Sequence, residues 1–211
     1  MKIISPPKII TGLFHSLEWA MPASSEKKIY LSFDDGPTPS ITNFVLNELE
    51  KANAKATFFC IGKNIAHEPN LFNEILAAKH QIGNHTQNHV NGWKTSTAKY
   101  LQEIENCEKE IQKQGYKQDE KPLFRPPYGR ITRQQIKALK MQYRIVMWSI
   151  LAYDWLPEKF ENQCLKNVAS HLKKDAIIVM HDSVKATANI KKTLPTLLKT
   201  IKDKGYDFGL I

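Results

Sequence analysis

The chain has 211 residues, 42% hydrophobic and 24% charged, the balance of one ordinary folded domain rather than of a disordered or membrane-embedded chain. No apolar run approaches the roughly 20 residues of a membrane span. Residues 1–22, interrupted by Pro6, Pro7, His15 and Glu18, lack the continuous apolar stretch of a secretory signal, so a cytoplasmic protein is expected.

Lys and Arg number 30 against 21 Asp and Glu, a net charge of +9. The lysines are scattered rather than striped and fit no nucleic-acid module, so nucleic acid is not expected as a partner. The excess reads as a solvated surface or as attraction to an acidic polymer. Cys60, Cys107 and Cys164 are odd in number, far apart and form no CxxC pair, which predicts buried free thiols.

Short apolar runs alternate with longer amphipathic ones, without repeats or linkers. Lys28–Phe33 reads as a strand, followed by a turn and a helix over 39–53. Lys55–Ile61 is a second buried strand, with a helix over 65–79 behind it. A short strand at Gln81–Asn84 precedes a helix over 97–114, whose Tyr100, Leu101, Ile104, Cys107 and Ile111 recur at helical spacing. Leu123–Phe124 is a further strand, then come a helix over 132–141, a strand over 143–149 and a helix over 159–172. A strand over 176–180, a helix over 191–204 and a last strand over 206–210 complete the chain.

Alternating strands and helices predict a parallel sheet with right-handed crossovers, as a closed barrel or an open doubly wound sheet. The polar residues of interest all follow strand ends: Asp34 and Asp35, His85, Arg125 and His181. Side chains from several strand ends converge when those ends share one rim, which favours a barrel.

Asp34 and Asp35, in Phe33-Asp34-Asp35-Gly36-Pro37, cannot point the same way while strand geometry persists. One can bind a metal while the other stands free as a base, although Asp-Gly-Pro alone is a common turn. His85 and His89, spaced i,i+4, share one face if their segment is helical and are then close enough to share an ion. Imidazole and carboxylate ligands suit zinc, with cobalt, nickel and manganese as alternatives. Phe124-Arg125-Pro126-Pro127-Tyr128-Gly129 is a stiff loop bearing a cation and an aromatic.

Taken in order, these segments resemble the polysaccharide deacetylases, the family-4 carbohydrate esterases with the NodB homology domain. The family's double-Asp turn matches residues 33–37, its histidine pair residues 85–89, its Arg-x-Pro-Tyr loop residues 125–129, and its Leu-x-His strand end Val179-Met180-His181, with Val for Leu. The resemblance implies a distorted seven-stranded (β/α) barrel over residues 28–211; residues 1–27 precede it, and their Phe14, Leu17 and Trp19 are expected to pack on the barrel. It implies Asp35, His85 and His89 as ligands of a divalent metal, Zn2+ first, and Asp34 as general base. Arg125 would hold Asp34, the Tyr128 N–H would help form an oxyanion hole, and His181 would act as general acid. Trp155 and Val179 would wall the acetyl pocket.

One motif departs from the pattern. Trp148-Ser149-Ile150-Leu151-Ala152-Tyr153-Asp154-Trp155 keeps a terminal Asp-Trp but has Leu151 where the family has its first Asp. A missing anion there is expected to lower the His181 pKa, unless Asp154 or Asp182 orients the ring instead. The implied substrate is an acetylated glycan containing N-acetylglucosamine: chitin, chitooligosaccharide or peptidoglycan, with the positive charge favouring the last. Such polymers lie outside the cytoplasm, so the substrate is a precursor or fragment, or export follows another route. The alternatives are an O-acetyl esterase of xylan type and a glycan-binding relative with weakened catalysis. The oligomeric state is left open.

Overall fold

The computed structural model describes residues 3–117, 121–157 and 161–211, apart from the side chains of residues 161 and 162. Strands β1 (Lys28–Asp34), β2 (Thr57–Cys60), β3 (Gln81–Asn84), β4 (Leu123–Phe124), β5 (Arg144–Ile145), β6 (Ile150–Leu151) and β7 (Ile177–His181) are all parallel, in the order β5-β4-β3-β2-β1-β7-β6. A short β8 (Asp207–Phe208) adds to the base of β1. The sheet curls into the distorted seven-stranded (β/α) barrel expected of the sequence, wrapped by α2 (Ile41–Lys51), α3 (Gly62–His67), α4 (Pro69–Ala77), α5 (Thr97–Lys113), α6 (Arg133–Leu139), α7 (Glu161–Ala169) and α8 (Thr187–Asp203). A short α1 (Lys8–Leu13) precedes them.

Side-chain alternation along the strands decides what reaches the barrel interior. In β1, Ile29, Leu31 and Phe33 join Val45, Leu49, Leu194 and Leu197 in the cluster between sheet and helices. Tyr30, Ser32 and Asp34 therefore face inward, and Tyr30 packs with Phe59, Leu123, Val146 and Ile177 in an inner cluster. In β7 the same rule sends Ile178 and Met180 to the helices and Ile177, Val179 and His181 inward. Cys60, Cys107 and Cys164 are buried free thiols.

Four local expectations are corrected. The helix expected over 65–79 is two helices, because Pro69 opens α4 and cannot continue α3. The strand expected over 143–149 is split. The Val146 N–H bonds to Phe124 of β4, the Met147 N–H to Glu18, and the Ser149 N–H to Ile177 of β7, so this passage crosses from one edge of the sheet to the other. The last long helix starts at Thr187 rather than 191. The first residues of the helix expected over 159–172, 159 and 160, lie outside the described residues, and α7 ends at Ala169.

Residues before β1 line the seam. The Glu18 N–H donates to the Ile145 carbonyl at 2.9 Å and the Leu151 N–H to the Ile4 carbonyl at 2.9 Å. Ala20 bridges to Ala176, and Glu18 pairs with Arg144 through both carboxylate oxygens at 2.9 and 2.7 Å.

Candidate metal centre and proton-transfer groups

The end of β1 separates the two aspartates. Asp34 is the last strand residue and keeps its inward direction, while Asp35 has left the strand with φ at 81°. The turn is fixed from several sides. The Asn64 side chain donates to the Asp35 carbonyl at 2.7 Å, and the Ile61 N–H to the Gly36 carbonyl at 2.9 Å. A Cβ on Gly36 would fall 2.0 Å from Asp182 Oδ2, so only glycine lets the turn lie against this buried carboxyl. Thr42 Oγ1 donates to the same oxygen at 2.5 Å. Burial, with Asp35 and Asp34 nearby, pushes Asp182 up to about 7.

His85 and His89 are brought together by a loop, which corrects the helical expectation. Thr86 and His89 adopt φ of 65° and 54°, values no helix contains. The first N–H groups of α3 hold this loop, Gly62 donating to the Thr86 carbonyl and Lys63 to the Gln87 carbonyl, both at 3.0 Å. On the other side buried Glu103 of α5 accepts the Asn88 N–H at 3.0 Å and also the Asn88 amide.

Each imidazole is turned by its Nδ1. That of His85 lies 2.8 Å from the Arg125 carbonyl and that of His89 3.1 Å from the Tyr128 hydroxyl, leaving both Nε2 atoms toward Asp35. Asp35 Oδ1 stands 3.2 Å from His89 Nε2 and 3.6 Å from His85 Nε2. One ligand atom from each residue lies within 4.8 Å of the others.

The trio fits a divalent cation. Burial holds His85 down at about 4, as the neutral imidazole that ligation requires. Burial opposes the Asp35 charge, yet His89, His181 and His85 outweigh it and hold this carboxyl well below the usual range. Asp35 Oδ1 is buried and makes no hydrogen bond, an orphan acceptor that a cation would satisfy.

Asp34 faces another partner. Arg125 is wholly buried, and its Nη1 donates to Asp34 Oδ1 and to Ser32 Oγ, both at 2.7 Å. Nε donates to the Val146 carbonyl at 3.2 Å and Nη2 to the Met147 carbonyl at 2.9 Å. The guanidinium carbon sits 4.0 Å from the centre of the Phe59 ring. The ion pair thus lies beneath the rim, on the inward face that alternation assigned to Ser32 and Asp34.

β7 supplies the remaining groups. Asp34 and His181 are register partners across β1 and β7, so their side chains rise from neighbouring positions on one face. The His181 Nδ1 lies 2.8 Å from Asp154 Oδ1, and Asp154 Oδ2 accepts the His181 backbone N–H at 2.6 Å. Buried Asn189 of α8 fixes the Asp154 loop by donating to the Asp154 and Leu156 carbonyls, each at 2.6 Å. Burial disfavours the His181 charge, but Asp154, aided by Asp35 and Asp34, raises this imidazole to about 9.

The expected loss of a counter-ion at Leu151 does not occur, because Asp154 supplies both charge and orientation. Leu151 is instead a strand residue between β7 and the Ile4 carbonyl. Trp155 meets the His181 ring edge-on with centroids 4.8 Å apart, and Val179 is buried two positions before His181 on the same face. Tyr128, at φ 60° and 60% exposed, packs on His89 with ring centroids 4.5 Å apart.

The named residues therefore gather at one rim as a cluster of three side chains that could hold a metal ion, a buried aspartate–arginine pair and an aspartate–histidine pair. Residues 22–146 match the polysaccharide deacetylase family. The chain belongs to that family.

Its relatives include a peptidoglycan-N-acetylglucosamine deacetylase of Bacillus cereus, 34% identical over 195 residues that cover 90% of this chain and 88% of that protein. The peptidoglycan-N-acetylglucosamine deacetylase PgdA of Listeria monocytogenes is 35% identical over 192 residues, 90% of this chain. The match spans only 39% of the Listeria protein's length. Among solved structures, the Bc1960 peptidoglycan N-acetylglucosamine deacetylase in complex with 4-naphthalen-1-yl-N-oxidanyl-benzamide superposes with a TM-score of 0.87 at 29% identity, covering 98% of this chain and 95% of that one. Among the described residues of the present chain, no helix is long and apolar enough to cross a membrane.

The residues that support these groups in this chain leave weaker marks in the sequence. Asp154 was one of two candidate partners for His181, with nothing in the sequence to choose between them. Ser32 and Phe59, which complete the Arg125 cage, belong to no motif. Ser32 did leave a signal, as a polar residue two positions before Asp34 in an apolar strand.

Proposed function

We propose that this chain is a metal-dependent hydrolase that removes acetyl groups from N-acetylglucosamine units of a glycan, with peptidoglycan the favoured polymer. The observation that carries this reading is the Asp35, His85 and His89 cluster, set at one rim with a carboxylate held by Arg125 and an imidazole held by Asp154. The names of the Bacillus and Listeria relatives support the substrate class. The catalytic unit is assigned to residues 28–211.

A zinc ion held by Asp35, His85 and His89 would polarise the acetyl carbonyl and bring the pKa of a bound water toward about 7. Asp34 takes the proton from the attacking water. Arg125 holds that carboxylate in place and offsets its charge, so the base does not rotate toward the ligands. The Tyr128 N–H is assigned to the oxyanion of the tetrahedral intermediate, a contact of a kind that contributes about 3 kcal/mol. His181 then gives its proton to the departing sugar nitrogen, since an amine leaves poorly as an anion. Trp155 and Val179 exclude larger acyl groups and water from the space beside His181.

The Asp154–His181 pair weighs against the weakened-catalysis alternative and favours amides over esters. An ester, whose alkoxide leaves more easily, has less need of a histidine kept protonated at neutral pH. The test is acetate release from N-acetylglucosamine oligomers and from acetylated xylan by zinc-loaded protein. Release from the oligomers that stops on chelation and returns with zinc is expected. Release from xylan alone would move the assignment to an esterase, and glycan binding without release from either substrate would move it to a binding module.

A further inference from the structure

The two loops that bring His89 and Tyr128 together run on side by side and end in a second exposed aromatic. Trp93 is 64% exposed, yet its position is fixed. Its indole N–H donates to the Ile131 carbonyl at 3.2 Å, and its backbone N–H to Asn91 Oδ1 at 3.0 Å. Buried Gln135 holds the loop from beneath by donating to the Gly92 carbonyl at 2.9 Å. Gly92 lies so close to the neighbouring loop that a Cβ there would fall 2.3 Å from the Arg130 carbonyl.

Over this fixed indole stands Arg130, its guanidinium carbon 5.2 Å from the ring centre. Arg130 is exposed and, among the described residues, forms no ion pair. An indole left open to water at the edge of a polar site is a platform for the apolar face of a sugar ring. A guanidinium beside it, without a carboxylate of its own, is a fork for a planar anion. The loop is already ordered, so a ligand would lose little freedom to it.

We infer that Trp93 and Arg130 form a subsite for the sugar next to the one whose acetyl group is removed, and that this subsite selects a unit carrying a carboxylate. The inference rests on the glycan-deacetylase reading and names the residues by which its favoured polymer, a chain alternating N-acetylglucosamine with an acidic N-acetyl sugar, is told from a neutral one. The overall charge of +9 draws such a polymer in from a distance, while Arg130 reads the group at contact.

The test is calorimetric binding, independent of turnover. The probes are a neutral N-acetylglucosamine tetramer and a tetramer that alternates N-acetylglucosamine with its carboxylate-bearing lactyl ether. Wild-type protein is expected to favour the acidic tetramer by about three- to tenfold at low salt, the preference shrinking as salt rises. Arg130→Gln should abolish that preference, weakening the acidic tetramer more than the neutral one. Trp93→Ala should weaken both probes by about tenfold, and Trp93→Phe should restore most of the loss. Equal affinity of wild-type protein for the two probes, or a preference that survives in Arg130→Gln, would overturn the inference. So would Trp93→Ala binding as tightly as wild type. Intact binding selectivity without acetate release would contradict the deacetylase reading and leave the subsite standing.

Discussion

Asp154→Asn should reduce acetate release at pH 7.5 by about 10²- to 10⁴-fold, the range over which a positioned general acid contributes. The substitution keeps the shape of the side chain and an oxygen for the His181 N–H, but removes the charge opposite Nδ1. Burial opposes protonation of His181, and Asp154 is the first of the groups that overcome it to raise the ring to about 9. Without that carboxylate, burial prevails and the ring is largely neutral at the working pH. The alkaline limb of the kcat profile should therefore move to lower pH in the variant. In wild type the limb falls somewhat below about 9, because a cation at Asp35 offsets part of the anionic field.

Stability carries the same sign. His181 binds its proton more tightly in the folded chain than in the unfolded one, so the stabilisation is complete below about 6.5, the ordinary histidine value. It is lost as pH rises through about 9. Metal-free wild type should thus lose melting temperature between those values, and Asp154→Asn should show a flatter dependence. A variant with an unshifted alkaline limb would show that Asp154 does not set the protonation of His181.

Arg125→Ala should be the most destabilising single change at the site. It leaves the Asp34 carboxylate buried without a counter-charge, a situation that costs about 3–5 kcal/mol. It also strips donors from Ser32 and from the Val146 and Met147 carbonyls, where the seam of the barrel crosses from β4 to β7. Denaturant midpoints give the first readout.

Because the alanine variant is liable to unfold, Arg125→Lys is the companion. A lysine restores one charge near Asp34 but not the planar fork that reaches four acceptors. It should fold with a smaller loss of stability, bind zinc as wild type does, and still lose about 10²-fold in kcat. A lysine variant with full activity would show that charge, rather than fixed geometry, is all that Asp34 needs.

The Arg125 cage shows where sequence reasoning succeeded and where it stopped. The period of two in β1 was enough to separate Asp34 from Asp35, since alternation is a local property, while the family resemblance implied which of them is the ligand. Convergence of Arg125 and His181 on the same rim followed from their positions after strand ends. Which carboxylate would serve which cation depended on the path of the chain across the seam, and no local pattern records that. Residues 143–149 have the composition of one strand, yet their hydrogen bonds go to three separate segments. The same crossing places Leu151 against the N-terminal residues and carries Asp154 onto His181.

The histidine pair teaches a related point. Spacing i,i+4 suggested a helix face, and the two imidazoles do converge. They do so through left-handed backbone at Thr86 and His89, fixed by the first N–H groups of α3 and by Glu103 of α5. Those anchors are distant in sequence and leave no mark on the loop itself. Pro69 did leave a mark, and the break between α3 and α4 could have been read from it.

The central claim is that two adjacent aspartates have been divided into a base and a ligand by the end of one strand. Its most direct test is zinc stoichiometry and acetate release measured together on Asp34→Asn and Asp35→Asn. Asp34→Asn should bind one zinc ion per chain as wild type does and release acetate about 10³-fold more slowly, while Asp35→Asn should lose the zinc. An Asp34→Asn variant that loses the metal, or one that binds it and deacetylates at the wild-type rate, would contradict the division.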